Sequence, residues 1–238
     1  MTTALITGAS RGLGLEMVRQ YAADGARVLA TCRNPAQSPG LAALVVRYPA
    51  AITVAALDVT DHSAVDALSA RFRDQPIDIL INNAGDIGPR DPNRTRLHEQ
   101  HFGTINYAEW RRVLEINTLA PVRVAEAFVD QVAASAQKKM IFVSSTTGSN
   151  SEGQYATFGY CSSKAALNKV VTMLAIALKS RGIVCAAVCP GYVRTRLGGD
   201  AALLGVEESI TGLREVIAGL TPERSGSFTR YNGEAIAW

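Results

Sequence analysis

Tyr160 and Lys164 are the residues of this 238-residue chain whose types and spacing point most directly to chemistry. They stand four apart, so a helix running from Phe158 to Lys179, where the sequence is long and strongly apolar, puts both side chains on one face. A free tyrosine ionises at about pH 10. A neighbouring ammonium favours the phenolate and lowers that value toward the working pH a general acid or base needs. Taken alone, the same spacing also fits an ordinary exposed helical pair.

A second constellation is the glycine-rich stretch Thr7-Gly8-Ala9-Ser10-Arg11-Gly12-Leu13-Gly14. It follows a compact apolar run and opens a helical pattern. In that context glycines allow a tight turn and let backbone approach a pyrophosphate, while the helix N-terminus offers free N–H groups. The spacing is G-x-x-x-G-x-G rather than G-x-G-x-x-G, and glycines in an unrelated strand-to-helix turn would read the same way. A ribose-binding carboxylate is expected about 20 residues beyond such a turn. Cys32 and Arg33 stand there instead. An arginine can grip a ribose 2′-phosphate, and Arg11 could add a second positive charge, which favours NADP(H) with NAD(H) as the second option. The competing reading of Arg33 is a solvated turn residue.

The elements that must position these residues alternate in kind. Apolar runs at Thr3 to Thr7, Arg27 to Thr31, Ile52 to Leu57, Ile77 to Ile81, Met140 to Ser144 and Ile183 to Val188 suit strands buried on both faces. Helical patterns lie between them: Gly12 to Asp24 before Gly25, Asp61 to Phe72 with an Asp cap, Tyr107 to Val132 with Pro121 as a kink, and Phe158 to Lys179. Alternation of this kind predicts an α/β fold, a doubly wound parallel sheet of about seven strands with helices on both faces. No linker divides residues 1–238, so they are read as one dinucleotide-binding domain. The stretches 86–106 and 192–205 break the rhythm after strands and should overhang the site as substrate loops.

Composition narrows the function classes. Hydrophobic residues make up 47% and charged residues 19%, which excludes a disordered chain. With 24 basic and 21 acidic residues the net charge is +3, too balanced for a nucleic-acid footprint. No apolar run is long enough to span a bilayer, and Met1-Thr2-Thr3 has no basic leader, so neither a membrane nor a signal peptide is expected. Cys32, Cys161, Cys185 and Cys189 form no C-x-x-C pair and read as reduced thiols of a cytoplasmic protein. His98 and His101 lack a third ligand nearby, so no metal is expected.

Other motifs accompany the Tyr-Lys pair in a fixed order: Asn82-Asn83-Ala84-Gly85 after a strand, Asn117 in a helix, Ser144-Ser145 at a strand end, and Pro190-Gly191-Tyr192-Val193-Arg194-Thr195 after the sixth strand. Together with the Thr7 to Gly14 turn, this set resembles the short-chain dehydrogenase/reductase family along essentially the whole chain. The stretches Gly148 to Lys164 and Gly226 to Trp238 resemble its branch of sniffer-type carbonyl reductases and C-factor-like bacterial proteins. The resemblance implies a Rossmann fold and a set of roles. Tyr160 would protonate a substrate carbonyl oxygen. Lys164 would hold the nicotinamide ribose and lower the Tyr160 pKa. Ser145 would hydrogen-bond the carbonyl, with Ser144 and Thr147 as alternatives. Asn117 would hold a water leading to Lys164. Gly8, Ser10, Arg11, Gly12, Leu13 and Gly14 would cradle the cofactor phosphates. Asp58 and Val59 would touch the adenine, and Asn83, Ala84 and Gly85 its ribose. Pro190, Gly191, Val193 and Thr195 would flank the nicotinamide.

The expected activity is an NADP(H)-dependent interconversion of a carbonyl compound and an alcohol. The alternatives are a non-catalytic dinucleotide-binding signalling protein of the C-factor type and a nucleotide-sugar epimerase or dehydratase, for which the chain is short. The helices from Tyr107 and from Phe158 would bury a face in a homodimer or homotetramer, as the family commonly does.

Overall fold

The computed structural model describes residues 1–89, 100–152 and 157–238. The apolar runs become strands β1 (Thr3–Ile6), β2 (Arg27–Cys32), β3 (Ile52–Ala56), β4 (Ile79–Asn82), β5 (Lys139–Val143) and β6 (Val184–Cys189), and β7 (Phe228–Arg230) joins them. They form one sheet in the order β3-β2-β1-β4-β5-β6-β7, every pairing parallel. Side chains alternate across a strand, so each strand feeds two cores. Ala4, Ile6, Ile79, Ile81, Val184, Ala186 and Val188 enter one, while Leu5, Leu80, Cys185, Ala187 and Cys189 enter the other.

Helices α1 (Gly12–Ala23), α2 (Pro39–Arg47) and α8 (Val206–Ala218) cover the first face through Met17, Val18, Leu41, Ile210, Leu213 and Ile217. Helices α3 (His62–Arg71), α5 (Ala120–Ala127), α6 (Val129–Ala133) and α7 (Phe158–Ala177) cover the second through Val65, Leu68, Val124, Val132, Leu167 and Val171. The Asp61 cap forms as read, accepting from Ala64 N at 3.0 Å. The strand order reverses at β1 and β4, which opens a crevice beyond their carboxyl ends, where doubly wound sheets bind ligands.

One expectation needs correcting. Tyr107 to Val132 is not a single helix kinked at Pro121. Helix α4 (Tyr107–Leu114) runs into a π-helical turn, Glu115–Leu119, before α5, and Phe128 separates α5 from α6. Pro121 has no amide to offer the carbonyl of Asn117, four residues earlier, and its ring crowds that carbonyl. A regular α-helix cannot continue there, and the widened turn before α5 leaves Pro121 in a first turn, where the missing donor is harmless. The helices α2 and α8 and the strand β7 were not singled out by periodicity.

The four cysteines are free thiols. Cys185 and Cys189 share one core, as their spacing requires. Among the described residues no group of three or more His, Cys, Asp or Glu could hold a metal, and no helix is long and apolar enough to cross a membrane. His98 lies outside the described residues.

Phe128, fully buried where α5 meets α6, locks this broken segment into the second core. Phe128→Ala should lower the unfolding free energy by about 3–5 kcal/mol. Urea titration should show a lower midpoint with an unchanged slope.

Candidate active site

The glycine turn between β1 and α1 is pinned to the segment after β4. Thr7 Oγ1 accepts from the amides of Asn83 at 3.0 Å and Ala84 at 3.1 Å. Asn83 Nδ2 donates back to Thr7 O at 2.9 Å and Gly8 O at 3.3 Å. This closeness excludes side chains. A Cβ on Gly8 would stand 2.8 Å from Ala84 Cα, and one on Gly14 would stand 2.4 Å from Gly8 O. The first backbone bond of α1 is Leu15 N to Arg11 O at 3.3 Å, so the amides of Gly12, Leu13 and Gly14 have no intrahelical acceptor and face the crevice mouth as an anion cradle. Ser10 and Arg11 complete its rim.

Arg11 and Arg33 are exposed, and neither makes an ion pair with a described residue. Asp58 and Val59 follow β3, with Asp58 Oδ1 held by Thr60 N at 3.0 Å and Thr60 Oγ1 at 2.8 Å. Beyond β6, Pro190 O accepts from Ser209 Oγ at 2.6 Å, Gly191 takes φ +84°, and Val193 bridges to Leu204. Thr195 lies over the glycine turn, its Cγ2 3.6 Å from where a Gly12 Cβ would be. The sequence-predicted cofactor residues therefore follow the carboxyl ends of strands of one sheet. Backbone that must come close, unpaired amides and two unpaired guanidinium groups fit a dinucleotide with an extra phosphate.

At the inner end of the crevice, α7 delivers the Tyr-Lys pair. Its N-cap is Thr157, whose hydroxyl accepts from Tyr160 N at 3.3 Å. Lys164 is buried, with Nζ 5.8 Å from the Tyr160 ring centroid and donating to Val143 O at 2.8 Å. Burial pushes its pKa down to about 8. The phenol does not follow the expectation drawn from spacing. Burial raises the Tyr160 pKa above its ordinary value, while the Ser145 side chain is close enough to pull the other way. Desolvation is the largest cause, and the Lys164 ammonium is turned to a β5 carbonyl.

Ser145 opens a short 3₁₀ turn after β5, and its Oγ accepts from Thr147 N at 3.3 Å and Thr147 Oγ1 at 3.0 Å. Of the two alternatives, the Ser144 hydroxyl is turned into the core and donates to Asn168 Oδ1 at 2.6 Å. Thr147 serves Ser145. Asn117, fully buried in the π-helical turn, accepts from Asp86 N at 2.8 Å and donates to Asp86 O at 2.7 Å and Ser163 Oγ at 2.9 Å. A Cβ on Gly85 would lie 3.2 Å from Asn117 Oδ1 and 3.9 Å from Lys164 Nζ. Gly85, Asn117 and Lys164 thus converge. Sequence reasoning missed Asp86, Ser163 and Asn168, which fix these groups through long-range polar contacts that no spacing pattern announces.

The family model for short chain dehydrogenases matches residues 2–202. The chain belongs to that family. C-signal of Myxococcus xanthus is 36% identical to this short-chain dehydrogenase over 166 residues, covering 68% of this chain and 93% of that one. The NADPH-bound carbonyl reductase from chicken fatty liver superposes with a TM-score of 0.89 at 30% identity, over 100% of this chain and 99% of that chain. The carbonyl reductase Sniffer of D. melanogaster gives 0.89 at 29% identity, over 100% of both chains.

The buried ammonium makes stability depend on pH. Lys164 loses its proton near pH 8 when folded and near 10.5 when unfolded. Between these values the unfolded chain binds more protons, so stability contributed by this group rises with pH. Tyr160 opposes it only above the ordinary phenol value. Lys164→Met should remove the rise between pH 8 and about 10. Chemical denaturation of both proteins across that range checks it: the stability of wild type minus variant should climb with pH.

Proposed function

We propose that this chain is an NADP(H)-dependent oxidoreductase that interconverts a carbonyl compound and an alcohol. The observation that carries the reading is the convergence of Tyr160, Lys164 and Ser145 at the carboxyl ends of the strands, beside a glycine turn with unpaired amides. When bound, the nicotinamide supplies or takes the hydride. Gly8, Ser10, Gly12, Leu13 and Gly14 hold its phosphates, Arg11 and Arg33 the 2′-phosphate, and Asp58, Val59, Asn83, Ala84 and Gly85 the adenosine. Pro190, Gly191, Val193 and Thr195 hold the nicotinamide end.

The protein's part is proton traffic and orientation. Ser145 donates a hydrogen bond to the substrate oxygen and fixes its direction. The raised pKa of Tyr160 keeps the phenol protonated at neutral pH, so it can give its proton to that oxygen during reduction. Lys164, whose pKa lies near 8, exchanges protons readily close to neutrality and can restore the tyrosine. Asn117 holds the Asp86 backbone beside Lys164 and lines the route by which protons arrive.

The substrate is a small molecule entering between residues 86–106 and 192–205, where Tyr192 and Leu197 present exposed apolar surface; residues 90–99 lie outside the described structure. The exposed Leu119, in the π-helical turn of the stretch from Tyr107, and Met173 and Ile176 of α7 support a homodimer or homotetramer through these segments. The counter-reading is a non-catalytic dinucleotide-binding signalling protein, which the oxidoreductases among the relatives do not favour.

Two measurements separate these readings. NADPH absorbance followed with a panel of ketones, aldehydes and quinones should show turnover. Tyr160→Phe should lower it by about a thousandfold, within the usual general-acid contribution, while NADPH still binds. Tight NADPH binding with no turnover on any substrate favours the signalling reading. Arg33→Asp should weaken NADP(H) by about tenfold or more and leave NAD(H) nearly unchanged; equal effects on both nucleotides overturn the 2′-phosphate assignment.

A further inference from the structure

We propose that Arg230 is a positioning residue for the Ser145 turn, which it clamps to β7 together with Glu152. The inference rests on the carbonyl-reduction reading above and adds a group outside the catalytic and cofactor sets named there. Arg230 is the last residue of β7, at the edge of the sheet. Its guanidinium reaches back toward the loop that follows β5. One arm, NH1, donates to Thr146 Oγ1 at 3.2 Å, and the other, NH2, donates to Glu152 Oε2 at 2.5 Å. Nε lies 3.6 Å from Glu234 Oε2. A single planar fork therefore holds the first residue after Ser145 and Glu152, six residues farther along.

The contacts around this fork leave the loop little freedom on that side. Thr146 Oγ1 also lies 3.2 Å from Cys189 Sγ, which accepts from Thr146 N at 3.3 Å. The second oxygen of Glu152 accepts from Ala237 N at 2.7 Å, and Ser151 Oγ donates to Trp238 O at 3.0 Å. The Trp238 ring stacks on Phe228 of β7 at 5.3 Å, so residues 237–238 tie the loop to the same strand. Between the clamped ends, Ser149 Oγ accepts from the amides of Ser151 and Glu152 at 3.1 and 2.8 Å.

The inner side of the loop is held separately. Asn168 Nδ2 donates to Gly148 O at 3.1 Å, and a Cβ on Gly148 would meet the Lys164 carbonyl carbon at 2.6 Å. Contact with α7 sets how deep the turn sits. Arg230 sets its direction along the sheet edge, which aims the hydroxyl of Ser145. The Arg230 and Glu152 side chains are 29% and 34% exposed. Pairs this open add little to stability, so the clamp should be felt in turnover rather than in folding.

The test uses steady-state kinetics with NADPH and a turned-over carbonyl substrate, on wild type, Arg230→Gln, Arg230→Lys, Thr146→Val, Glu152→Gln and the double variant Arg230→Gln/Thr146→Val. Arg230→Gln should lower kcat by about tenfold, as expected for a misplaced catalytic group. NADPH affinity should stay within about twofold and the melting midpoint within a few degrees. Arg230→Lys, which can keep one of the two contacts, should recover part of the loss. The double variant should be no worse than Arg230→Gln alone, because both changes break one link. Wild-type kcat in Arg230→Gln, additive losses with Thr146→Val, or a loss that tracks NADPH affinity each overturn the clamp. If Arg230→Gln does not fold, normal kcat in both Glu152→Gln and Thr146→Val overturns it. No turnover in wild type overturns the carbonyl-reduction reading and the clamp together; turnover abolished by Tyr160→Phe but indifferent to position 230 overturns the clamp alone.

Discussion

An ammonium buried with one backbone carbonyl as its hydrogen-bond partner is unfavourable in a folded chain, and Lys164 is such a group. Everything around it limits that cost without removing it. The carbonyl it meets belongs to Val143, the last residue of β5, where the strand no longer needs every acceptor for its neighbours. The residual penalty appears as a lysine that gives up its proton near pH 8 rather than near 10.5. A group in that range is of little use as a structural cation. It suits a site where protons move at neutral pH, and the phenol beside it stays protonated over the same range.

The sheet explains why this group lies where a nucleotide would end. Parallel order reverses at β1 and β4, so the turns that leave these strands diverge and open the crevice. The same two turns are joined by the Thr7 hydroxyl and the Asn83 amide. Gly8 and Gly14 have no room for a side chain because the backbone after β4 and the turn itself occupy it. The cradle is therefore rigid before any ligand arrives, which lowers the ordering cost of binding. Lys164, on the next layer of contacts, meets the cradle through Gly85.

Legibility in the sequence followed how local each feature is. The glycine turn, the Asn83 to Gly85 stretch and the Tyr-Lys pair are runs of neighbours, and their meaning depends on one strand or one helix. The paired cores of the sheet were readable for the same reason, since strands such as Val184–Cys189 are apolar throughout. The break at Glu115–Leu119 was not, because Pro121 signals a disturbance without saying whether the helix bends or widens its register ahead of the proline. Strand β7 has three residues, too few for a periodic signal. Helix α2 buries only Leu41 fully, so its apolar stripe is faint. The ionisation of Tyr160 departs from the expectation because spacing reports which side chains are neighbours and says nothing of desolvation, the largest cause of its shift. Asp86 and Asn168 act through contacts 31 and 24 residues away in sequence, and no local pattern contains them.

Helix α7 gathers these threads because its buried face changes character along its length. Its buried polar positions, Ser163, Lys164 and Asn168, all lie in the first two-thirds. The buried apolar positions begin among them at Leu167 and continue alone through Val171 and Ala175. The apolar part packs against the sheet and anchors the helix in the second core. The polar part lies at the carboxyl ends of the strands, and each residue there fixes a different functional group. Ser163 accepts from Asn117, Lys164 grips the end of β5, and Asn168 holds both Ser144 and Gly148 on either side of Ser145. Tyr160 rides on the first turn of the same helix, under the Thr157 cap. The tyrosine and the lysine are thus placed by one rigid element, which also holds the serine turn and the asparagine from one side. A shift of α7 along its axis would move the first two relative to the cradle and strain its hold on the others, so the packing of Leu167 and Val171 against the sheet helps register the acid–base groups to the nucleotide crevice.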